Sequence, residues 1–442
     1  MIRRLFIANR GEIALRVART AQRLGMTAIL GASQGDAASL PAMLADEVAL
    51  VGPAPSAQSY LDVDAVIAAA MAARADAIHP GYGFLSENAR FAKAAADAGI
   101  IFVGPDISSL EAMGDKLMAR AVGQAAGLPV VPGGEASTPE EALARARETG
   151  FPVLLKAVAG GGGKGMKRVE REEDLIPMIA MAMAEAQASF GDPRVYVERF
   201  IASGRHVEVQ VLGDGESAIH LGTRDCSIQR RFQKLVEEAP APMLPDATRS
   251  GLERAAVALA KSLHYKGAGT VEFLVDAKTG DFYFLEMNAR IQVEHPVTEA
   301  ITGVDLVEQQ LLVAGGARLS LDQDAIRPRG HAIEVRINAE DPEADFRPSP
   351  GTVTRAAWPA GPGIRVDSHI ASGGMIPPFY DSLMGKLIVW GEDRPAAVAR
   401  LACALDTLSI EGVASTTSLH RRIAADPRFI AGGVDTRFLE GL

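Results

Sequence analysis

The sequence predicts a protein of mixed α/β and α+β class whose N-terminal part is a doubly wound parallel sheet. Two observations support this prediction. Strand-like apolar runs alternate with segments of helical apolar spacing over about the first 110 residues, and such alternation is typical of βαβ units in a parallel sheet. The pattern then changes to a compact α+β unit with a glycine-rich loop, and strands dominate from His206 until a helix at 246–264.

The N-terminal elements follow one another with clear boundaries. Residues 2–9 (IRRLFIAN) form an apolar run that indicates a buried strand. The next segment has apolar residues at helical spacing, and Gly25 is a typical residue to end that helix. In chain order we predict a strand at 2–9, a helix at 11–25, a strand at 26–33, a helix at 61–74, a strand and loop at 76–84, a helix at 87–99 and a strand at 100–105.

The central and C-terminal parts mix strands and helices without strict alternation. The central unit begins near residue 115, and residues 331–442 form a further α+β portion. We predict for the central unit a helix at 142–150, strands at 151–158 and 166–170, a helix at 173–188 and a strand at 195–200. We predict for the C-terminal portion strands at 331–338 and 385–390 and a helix at 395–408.

Composition limits the classes of function. The chain has 442 residues, 48% of them hydrophobic and 23% charged, which fits an ordinary globular protein of two or three domains. Its net charge of -10 argues against nucleic acid or an anionic membrane as the main partner. The two cysteines, Cys226 and Cys403, provide neither a disulfide framework nor a zinc signature. Because no apolar run reaches membrane-spanning length and no targeting segment is visible before the first strand, we expect a cytoplasmic protein.

The loop KAVAGGGGKGM (156–166) has the composition of an anion-binding loop. Its spacing does not fit a P-loop. The dinucleotide pattern G-x-G-x-x-G does fit, at Gly160, Gly162 and Gly165, but the next residues are typical of a strand, whereas that pattern requires a helix. We therefore expect a loop whose backbone N–H groups wrap an anion and which closes over a ligand as a lid. A surface turn is the alternative.

The segment VEFLVDAKTGDFYFLEMNARIQVEH (271–295) predicts a hairpin with facing carboxylates. A three-residue loop, Lys278-Thr279-Gly280, would place glycine at the left-handed position and Glu272 directly opposite Glu286. Two like charges in that position are destabilising unless something neutralises them. A divalent cation with oxygen ligands would do so, and Mg²⁺ typically uses carboxylates together with substrate phosphates.

The second strand of this hairpin predicts a polar face. Its alternate residues, Glu286, Asn288, Arg290, Gln292 and Glu294, are all polar and would lie on one side of a strand. A polar face on a buried strand indicates a polar ligand, and a solvated edge strand is the alternative. A straight strand would separate the first and last of these residues by roughly 26 Å. The chain must therefore bend or leave the sheet between Arg290 and Glu294 if all of them serve one site.

The segment TRDCSIQRRFQKLVEEAP (223–240) is basic and can supply further contacts to an anion, although a solvated loop is the usual role of such a run. We expect Cys226 to be a small buried residue, since no neighbouring base is evident. We expect His79, His206 and His295 to form structural hydrogen bonds.

An ordered set of motifs resembles the biotin carboxylases, the ATP-grasp component of the biotin-dependent carboxylases. The set covers essentially the whole chain and comprises FIANRGEIALRV, HPGYGFLSENA, LLKAVAGGGGKGM, ERFIASGRHVEVQV, RDCSIQRR, EEAPAP, EMNARIQVEHPVTE, HAIEVRINAED and YDSLMGKLIVWG. The resemblance implies three domains: a Rossmann-like N-terminal domain at 1–113, an ATP-grasp domain at 114–330 with its lid at about 130–202, and a C-terminal domain at 331–442.

The resemblance also implies roles for individual residues. ATP would be bound by Lys116, Lys156, His206, Leu274 and the lid glycines Gly162 and Gly163, with Glu198, Arg199, Phe200 and Ile201 along the adenine edge. Mg²⁺ or Mn²⁺ would be bound by Glu272, Glu286 and Asn288. Bicarbonate would be bound by Lys234, Arg290, Gln292 and Val293, with Glu294 as its base and Arg336 stabilising the biotin anion. Arg16 and Arg19 match positions in the family's dimer interface.

The implied reaction converts ATP and bicarbonate to carboxyphosphate and then carboxylates biotin. The implied partners are a biotin carboxyl carrier protein and a carboxyltransferase on other chains, because the sequence contains no Met-Lys-Met biotinylation site. We expect a homodimer that serves an acyl-CoA carboxylase, acetyl-CoA carboxylase first among them, with a propionyl-CoA or pyruvate carboxylase as the alternative. Two further hypotheses are an ATP-grasp ligase with another acceptor and a nucleotide-binding scaffold without turnover.

Three positions and one segment depart from the family pattern. Phe232 replaces a histidine that touches the nucleotide, and a phenylalanine cannot donate that hydrogen bond. Thr436 stands where an aliphatic residue often flanks adenine, and Ala159 changes the entrance of the lid. The run GASQGDAAS (31–39) differs from the usual acidic segment, and we assign it no catalytic role.

Overall fold

A computed structural model of the chain describes residues 2–158 and 166–442. The N-terminal elements are β1 (Arg4–Ile7), α1 (Gly11–Arg23), β2 (Thr27–Ser33), α2 (Leu40–Leu44), β3 (Glu47–Gly52), α3 (Val63–Ala72), β4 (Ala77–His79), α4 (Ala89–Asp97) and β5 (Ile101–Phe102). These strands form a parallel sheet in the order β3-β2-β1-β4-β5. The predicted doubly wound parallel sheet is thus confirmed, and β3 is a strand that the sequence pattern did not predict.

The next elements form a small antiparallel unit and the helices that lead into it. They are α5 (Ile107–Gly114), α6 (Lys116–Ala125), β6 (Gly133–Ala136), α7 (Pro139–Thr149), β7 (Val153–Ala157), β8 (Lys167–Val169), α8 (Leu175–Phe190) and β9 (Val195–Arg199). The four strands pair in the order β6-β9-β7-β8. Buried side chains of α7 and α8, including Ala142, Ala146 and Ile179, pack on this sheet and form its own hydrophobic core.

The long strands that follow build the framework of the molecule. The elements are β10 (Gly204–Asp214), β11 (Ala218–Arg230), β12 (Gln233–Ala239), α9 (Asp246–Ser262), β13 (Lys266–Asp276), β14 (Phe282–Asn288), α10 (His295–Thr302) and α11 (Leu306–Ala314). The five strands of this group pair in the order β14-β13-β10-β11-β12. Their backbone hydrogen bonds are antiparallel, which agrees with the strand-rich pattern after His206.

The C-terminal elements extend the same sheet. They are β15 (His331–Asn338), β16 (Glu340–Asp341), β17 (Arg347–Pro348), β18 (Gly351–Thr352), β19 (Arg355–Ala357), β20 (Ile364–Ser368), β21 (Met375–Ile376), β22 (Leu383–Gly391), α12 (Arg394–Thr407), β23 (Ser409–Glu411), α13 (Thr417–Ala425) and α14 (Pro427–Ala431). Strand β15 pairs with β12, and β22 and β20 follow, so that eight strands form one sheet. The sheet continues across the predicted boundary at residue 330, and the three domain bounds stay predictions.

The carboxylate hairpin has the predicted pairing but a different loop. Glu272 lies directly opposite Glu286. Next to the turn, however, Phe273 pairs with Phe284 and not with Leu285, its partner in the predicted register. The Gly280 N–H donates to the carbonyl of Asp276. The predicted three-residue loop was therefore wrong. The turn is one residue longer, and a bulge before Glu286 restores the register at the two carboxylates, while Gly280 has the expected left-handed backbone with a φ of 77°.

The predicted polar face of the second strand is only partly a strand. Strand β14 ends at Asn288, and α10 begins at His295. Arg290, Gln292 and Glu294 therefore lie in a connecting loop, and the prediction of one five-residue strand face was wrong. The chain leaves the sheet, as expected because a straight strand would place Glu286 and Glu294 too far apart for one site. It leaves before Arg290, earlier than the predicted stretch between Arg290 and Glu294.

Candidate active site

A cavity of about 930 Å³ lies where the three parts of the chain meet. Its N-terminal wall comes from the residues that follow β1 and β4, including Asn9, Arg10 and Tyr82. These two strands are adjacent in the parallel sheet, and the order of the strands reverses between them. The carboxyl ends of strands at such a reversal form a crevice in which α/β proteins bind ligands. The opposite wall comes from the eight-stranded sheet and the loop 289–294.

Lys234 lies at the centre of the candidate site. Its Nζ is 2.7 Å from Glu208 Oε2, 2.8 Å from Glu272 Oε1 and 2.7 Å from Glu294 Oε1. Burial alone would lower the pKa of Lys234, but the three carboxylates raise it well above its ordinary value. The ammonium is therefore charged and neutralises part of a buried acidic cluster.

The acidic cluster follows from strand pairing. Glu208 on β10 pairs with Glu272 on β13, and Glu272 pairs with Glu286 on β14, so that three carboxylates form a row across the sheet. Arg224 pairs with Glu208 from the other side and donates to its Oε1 at 2.5 Å. Facing carboxylates are destabilising without cations nearby, and Lys234 and Arg224 supply two of them.

The candidate metal ligands include a carboxylate that is free to bind a cation. The Glu286 side chain lines the cavity, and its carboxylate has no hydrogen-bond or ion-pair partner within residues 2–158 and 166–442. Glu272 Oε1 accepts from the side-chain amide of Asn288 at 2.9 Å, and its Oε2 lies 2.8 Å from His206 Nε2. Ligand atoms of His206, Glu208 and Glu272 lie within 4.8 Å of one another. Carboxylate oxygens at a polar cavity wall fit a hard cation such as Mg²⁺.

Glu294 is the last residue of the connecting loop and is held by two cations. Lys234 contacts its Oε1, and Arg336 Nη2 lies 2.9 Å from its Oε2. Burial would raise the pKa of this carboxyl, but Lys234, Arg336 and Arg224 lower it well below its ordinary value. Glu294 is therefore ionised at neutral pH.

The other loop residues of the predicted bicarbonate pocket lie around the same cluster. The Arg290 guanidinium contacts Glu87 at 3.0 Å and Asn288 Oδ1 at 2.8 Å. The Gln292 amide donates to Glu272 Oε1 at 2.9 Å. Both residues line the cavity together with Val293, Lys234 and Glu294. The structure thus brings the five residues predicted around bicarbonate to one wall.

The predicted nucleotide residues are only partly at this cavity. Lys116, Lys156, Glu198 and His206 line it, and Lys156 forms an ion pair with Glu198. Four residues are absent from its described wall: Arg199, Phe200, Ile201 and Leu274. The lid glycines, Gly162 and Gly163, lie outside the described residues.

His206 lies between the acidic cluster and the side-chain amide of Gln229. Its Nδ1 is 2.7 Å from Gln229 Nε2, so this ring nitrogen accepts the hydrogen bond. Burial would lower the pKa of His206, but Glu272 raises it, and the net shift is upward. Because Nδ1 accepts from Gln229, the neutral ring carries its proton on Nε2, the nitrogen that faces Glu272.

Phe232 lies at the tip of the β11–β12 hairpin and lines the cavity. Its side chain is 63% exposed. Both turn residues have left-handed backbones, with φ of 47° at Arg231 and 67° at Phe232, a conformation that non-glycine residues adopt only at some cost. Asp345 contacts Arg230 at 2.5 Å and Arg231 at 3.2 Å, which ties the turn to the C-terminal part.

Several residues of the site were not predicted. Glu208, Arg224 and Glu237 are fully buried, and Glu237 Oε1 contacts Arg336 Nη2 at 2.5 Å. Arg224 and Glu237 stand among other polar and charged residues, in TRDCS and LVEEA, but Glu208 is a single charge between two valines in VEVQV. Because charged residues are seldom fully buried unless they are paired, that pattern was the available signal.

Comparison with known proteins identifies the family. Models of the biotin carboxylase N-terminal domain, the carbamoyl-phosphate synthase L chain ATP-binding domain and the biotin carboxylase C-terminal domain match residues 1–110, 115–322 and 334–441. The chain belongs to the biotin carboxylase family. It is therefore an ATP-grasp ligase, as the motifs predicted.

Relatives of this biotin carboxylase differ in the carboxylase they serve. A biotin carboxylase of Nostoc sp. is 51% identical over 440 residues, which cover 99% of this chain and 98% of that protein. A pyruvate carboxylase subunit of Methanothermobacter thermautotrophicus is 48% identical, with 100% and 90% covered. The biotin carboxylase domain dimer of 2-oxoglutarate carboxylase from Hydrogenobacter thermophilus, in complex with MgADP, ADP and bicarbonate, is 46% identical with a TM-score of 0.91, and 100% and 98% of the chains are covered. No described helix of this chain is long and apolar enough to span a lipid bilayer.

Proposed function

We propose that this biotin carboxylase uses ATP and bicarbonate to carboxylate biotin that is carried by a separate protein. The observation that carries the proposal is the position of Lys234, which contacts Glu294 at 2.7 Å and Glu272 at 2.8 Å on the wall of one cavity. A cation there can bind bicarbonate between a base and a metal-binding carboxylate. Bicarbonate requires this help because it is a poor nucleophile toward the polyanionic phosphates.

In the proposed first step Glu294 removes the bicarbonate proton while a bicarbonate oxygen attacks the γ-phosphorus of ATP and ADP leaves. Lys234, Arg290, Gln292 and the Val293 N–H hold the anion. Glu294 is a weak base while both Lys234 and Arg336 hold it, because they lower its pKa. Bicarbonate bound at Lys234 competes for that ammonium, and the weaker ion pair raises the basicity of Glu294.

Glu272, Glu286 and Asn288 would hold Mg²⁺, which neutralises phosphate charge when it is bound. Lys116, Lys156 and His206 would contact the phosphates, and Glu198 to Ile201 with Leu274 would receive the adenine. Lid glycines Gly162 and Gly163 would cover the phosphates. The free carboxylate of Glu286 at the cavity wall supports the metal assignment.

In the proposed second step the carboxyl group passes from carboxyphosphate to N1 of biotin, inorganic phosphate leaves, and this phosphate takes the N1 proton. Arg336 would stabilise the negative charge that develops on the biotin ring when N1 loses its proton. It suits this task because it lines the cavity and keeps its charge: burial lowers its pKa, but Glu237 and Glu294 raise the pKa above its ordinary value.

We further propose that the chain is the biotin carboxylase component of an acyl-CoA carboxylase, acetyl-CoA carboxylase for fatty acid biosynthesis first among them. A biotin carboxyl carrier protein and a carboxyltransferase on other chains would complete the enzyme. The relatives that belong to pyruvate and 2-oxoglutarate carboxylases support these acceptors as alternatives. The dimeric 2-oxoglutarate carboxylase domain supports a homodimer.

A nucleotide-binding protein without turnover is a second candidate function, and Phe232 is the observation in its favour. One assay separates the two. Purified protein with ATP, Mg²⁺ and free biotin should release ADP only when bicarbonate is added. Nucleotide binding without bicarbonate-dependent ADP release would contradict the proposed reaction and favour the second candidate.

A further inference from the structure

Three charged side chains lie in a row across the C-terminal half of the eight-stranded sheet. Arg336 on β15 pairs with Lys386 on β22, and Lys386 pairs with Asp367 on β20. Side chains directly opposite each other on paired strands point to the same face of the sheet and lie about 5 Å apart. This face bonds to the loop 289–294 and packs against helix α10 that follows it.

Neighbouring side chains of this row hold neighbouring residues of the loop. Arg336 Nη2 lies 2.9 Å from the Glu294 carboxylate. Lys386 Nζ donates to the backbone carbonyl of Val293 at 2.8 Å. Because a peptide unit is planar, fixing this carbonyl fixes the plane of the peptide between Val293 and Glu294. The backbone and the side chain of the proposed base are thus anchored to the same sheet.

Lys386 keeps its charge although it is fully buried. Its Nζ is 3.1 Å from Glu12 Oε1, and Glu12 lies in the first turn of α1. Burial would lower the pKa of Lys386, but Glu12, Glu334 and Asp367 raise it, and the net shift is upward. A buried ion pair is costly to desolvate and often adds little stability relative to apolar residues of similar size. A cationic donor at this position forms a hydrogen bond to the Val293 carbonyl, which an apolar residue cannot do.

We propose that Lys386 is a positioning residue for bicarbonate. It is absent from the described wall of the cavity and acts through the Val293 carbonyl, which it holds so that the Val293–Glu294 segment faces the anion. Glu12, which itself lines the cavity, pairs with Lys386 and connects it to helix α1 of the N-terminal part. This proposal rests on the proposed roles of Val293 and Glu294.

The test uses a variant that removes both buried charges. Lys386→Met alone would leave the Glu12 carboxylate buried without its cation, so Lys386→Met is combined with Glu12→Gln. Glu12→Gln alone is measured beside it because Glu12 lines the cavity, and the same bicarbonate KM in both variants would overturn the proposal. We expect the bicarbonate KM to rise about tenfold or more, since small displacements of a positioned group have large effects, while the ATP KM stays within about twofold. Amide hydrogen exchange should accelerate in a peptide spanning 289–297. Lys266→Met is the control, because Lys266 pairs with Asp106 outside this cavity and should change neither quantity.

Each outcome decides the proposal. An unchanged bicarbonate KM in the folded double variant would overturn it, and so would unchanged exchange at 289–297. Equal increases in the ATP and bicarbonate KM values would also overturn it, because they indicate a general loss of the site. If the double variant does not fold, Lys386→Gln is measured by the same two criteria. Absence of bicarbonate-dependent turnover in the unmodified protein would instead refute the proposed function, while the exchange experiment would still test the anchor.

Discussion

Glu272 and Glu286 face each other on paired strands, although a bulge separates them from the turn that joins those strands. Glu272 is held by Lys234, His206 and Asn288, whereas Glu286 has no polar partner within residues 2–158 and 166–442. The two carboxylates therefore differ in what they can offer a metal ion. Glu286 can bind a cation without losing an existing contact.

Glu286→Gln should raise the Mg²⁺ concentration needed for half-maximal ADP release by about tenfold or more, because a carboxylate ligand is lost. The measurement is a Mg²⁺ titration at saturating ATP and bicarbonate. Glu111→Gln, a change at an exposed carboxylate of α5, is the control. An unchanged Mg²⁺ requirement in Glu286→Gln would remove this residue from the metal site.

Lys234→Gln should mainly raise the bicarbonate KM, because bicarbonate loses its central cation. It should also lower the free energy of unfolding by about 3 kcal/mol, since Glu208, Glu272 and Glu294 lose a buried partner. Adding Glu208→Gln should restore part of the stability but none of the bicarbonate affinity. If stability and bicarbonate KM recovered together, Lys234 would have a structural role only.

Phe232→His should tighten ATP binding several-fold if the backbone resembles that of the family, because a regained hydrogen bond contributes on the order of 1 kcal/mol. The exposed ring at the cavity wall leaves room for the smaller imidazole. Calorimetric titration with an ATP analogue measures the effect. Weaker binding would mean that the pocket is built around the phenyl ring.

Glu238 should make the protein sensitive to acid. It accepts from His331 at 2.8 Å and from Arg394 at 2.7 Å. Burial would raise the pKa of this carboxyl, but His331 and Arg394 lower it below its ordinary value of 4.5. A carboxyl with a lowered folded-state pKa contributes stability above its unfolded-state pKa, and this contribution is lost as pH falls through the folded-state value.

Glu238→Gln should therefore lower the free energy of unfolding by about 3 kcal/mol at pH 7, and the difference from the unmodified protein should shrink below about pH 4.5. Urea unfolding at several pH values measures it. Glu411→Gln, which removes an exposed ion pair with Arg355, should change stability by about 0.5 kcal/mol or less. A difference that stayed constant down to pH 3 would refute the assignment to the Glu238 carboxylate.

The sequence predicted the features that depend on local pattern. The alternation of strands and helices predicted the parallel sheet, and the hairpin predicted that Glu272 faces Glu286, because both follow from neighbouring residues. The predicted turn was one residue too short. The bulge at Leu285 compensates for the longer turn, and a bulge leaves no signal in an alternating pattern. The end of β14 was missed for a similar reason, because polar alternation continues into the loop.

The remaining contacts of the site could not be predicted, because they form between segments that are far apart in the sequence. Arg336 contacts Glu237 only because β15 pairs with β12. Lys386 contacts Val293 only because β22 pairs with β15. The divergent run 31–39, to which no role was assigned, supplies Asp36, whose carboxylate binds Arg10 at 2.8 Å on the cavity wall. These partners lie between 26 and 99 residues apart, so no local pattern connects them.

In the proposed reaction Glu294 acts on bicarbonate and not on the nucleotide. The most direct test compares Glu294→Gln with the unmodified protein, with bicarbonate-dependent ADP release and ATP-analogue affinity measured on the same samples. We expect turnover to be lower by about 10²-fold or more with nearly unchanged nucleotide affinity. Loss of ATP binding with turnover preserved at saturation would make Glu294 a nucleotide or metal ligand and would contradict its role as the base for bicarbonate.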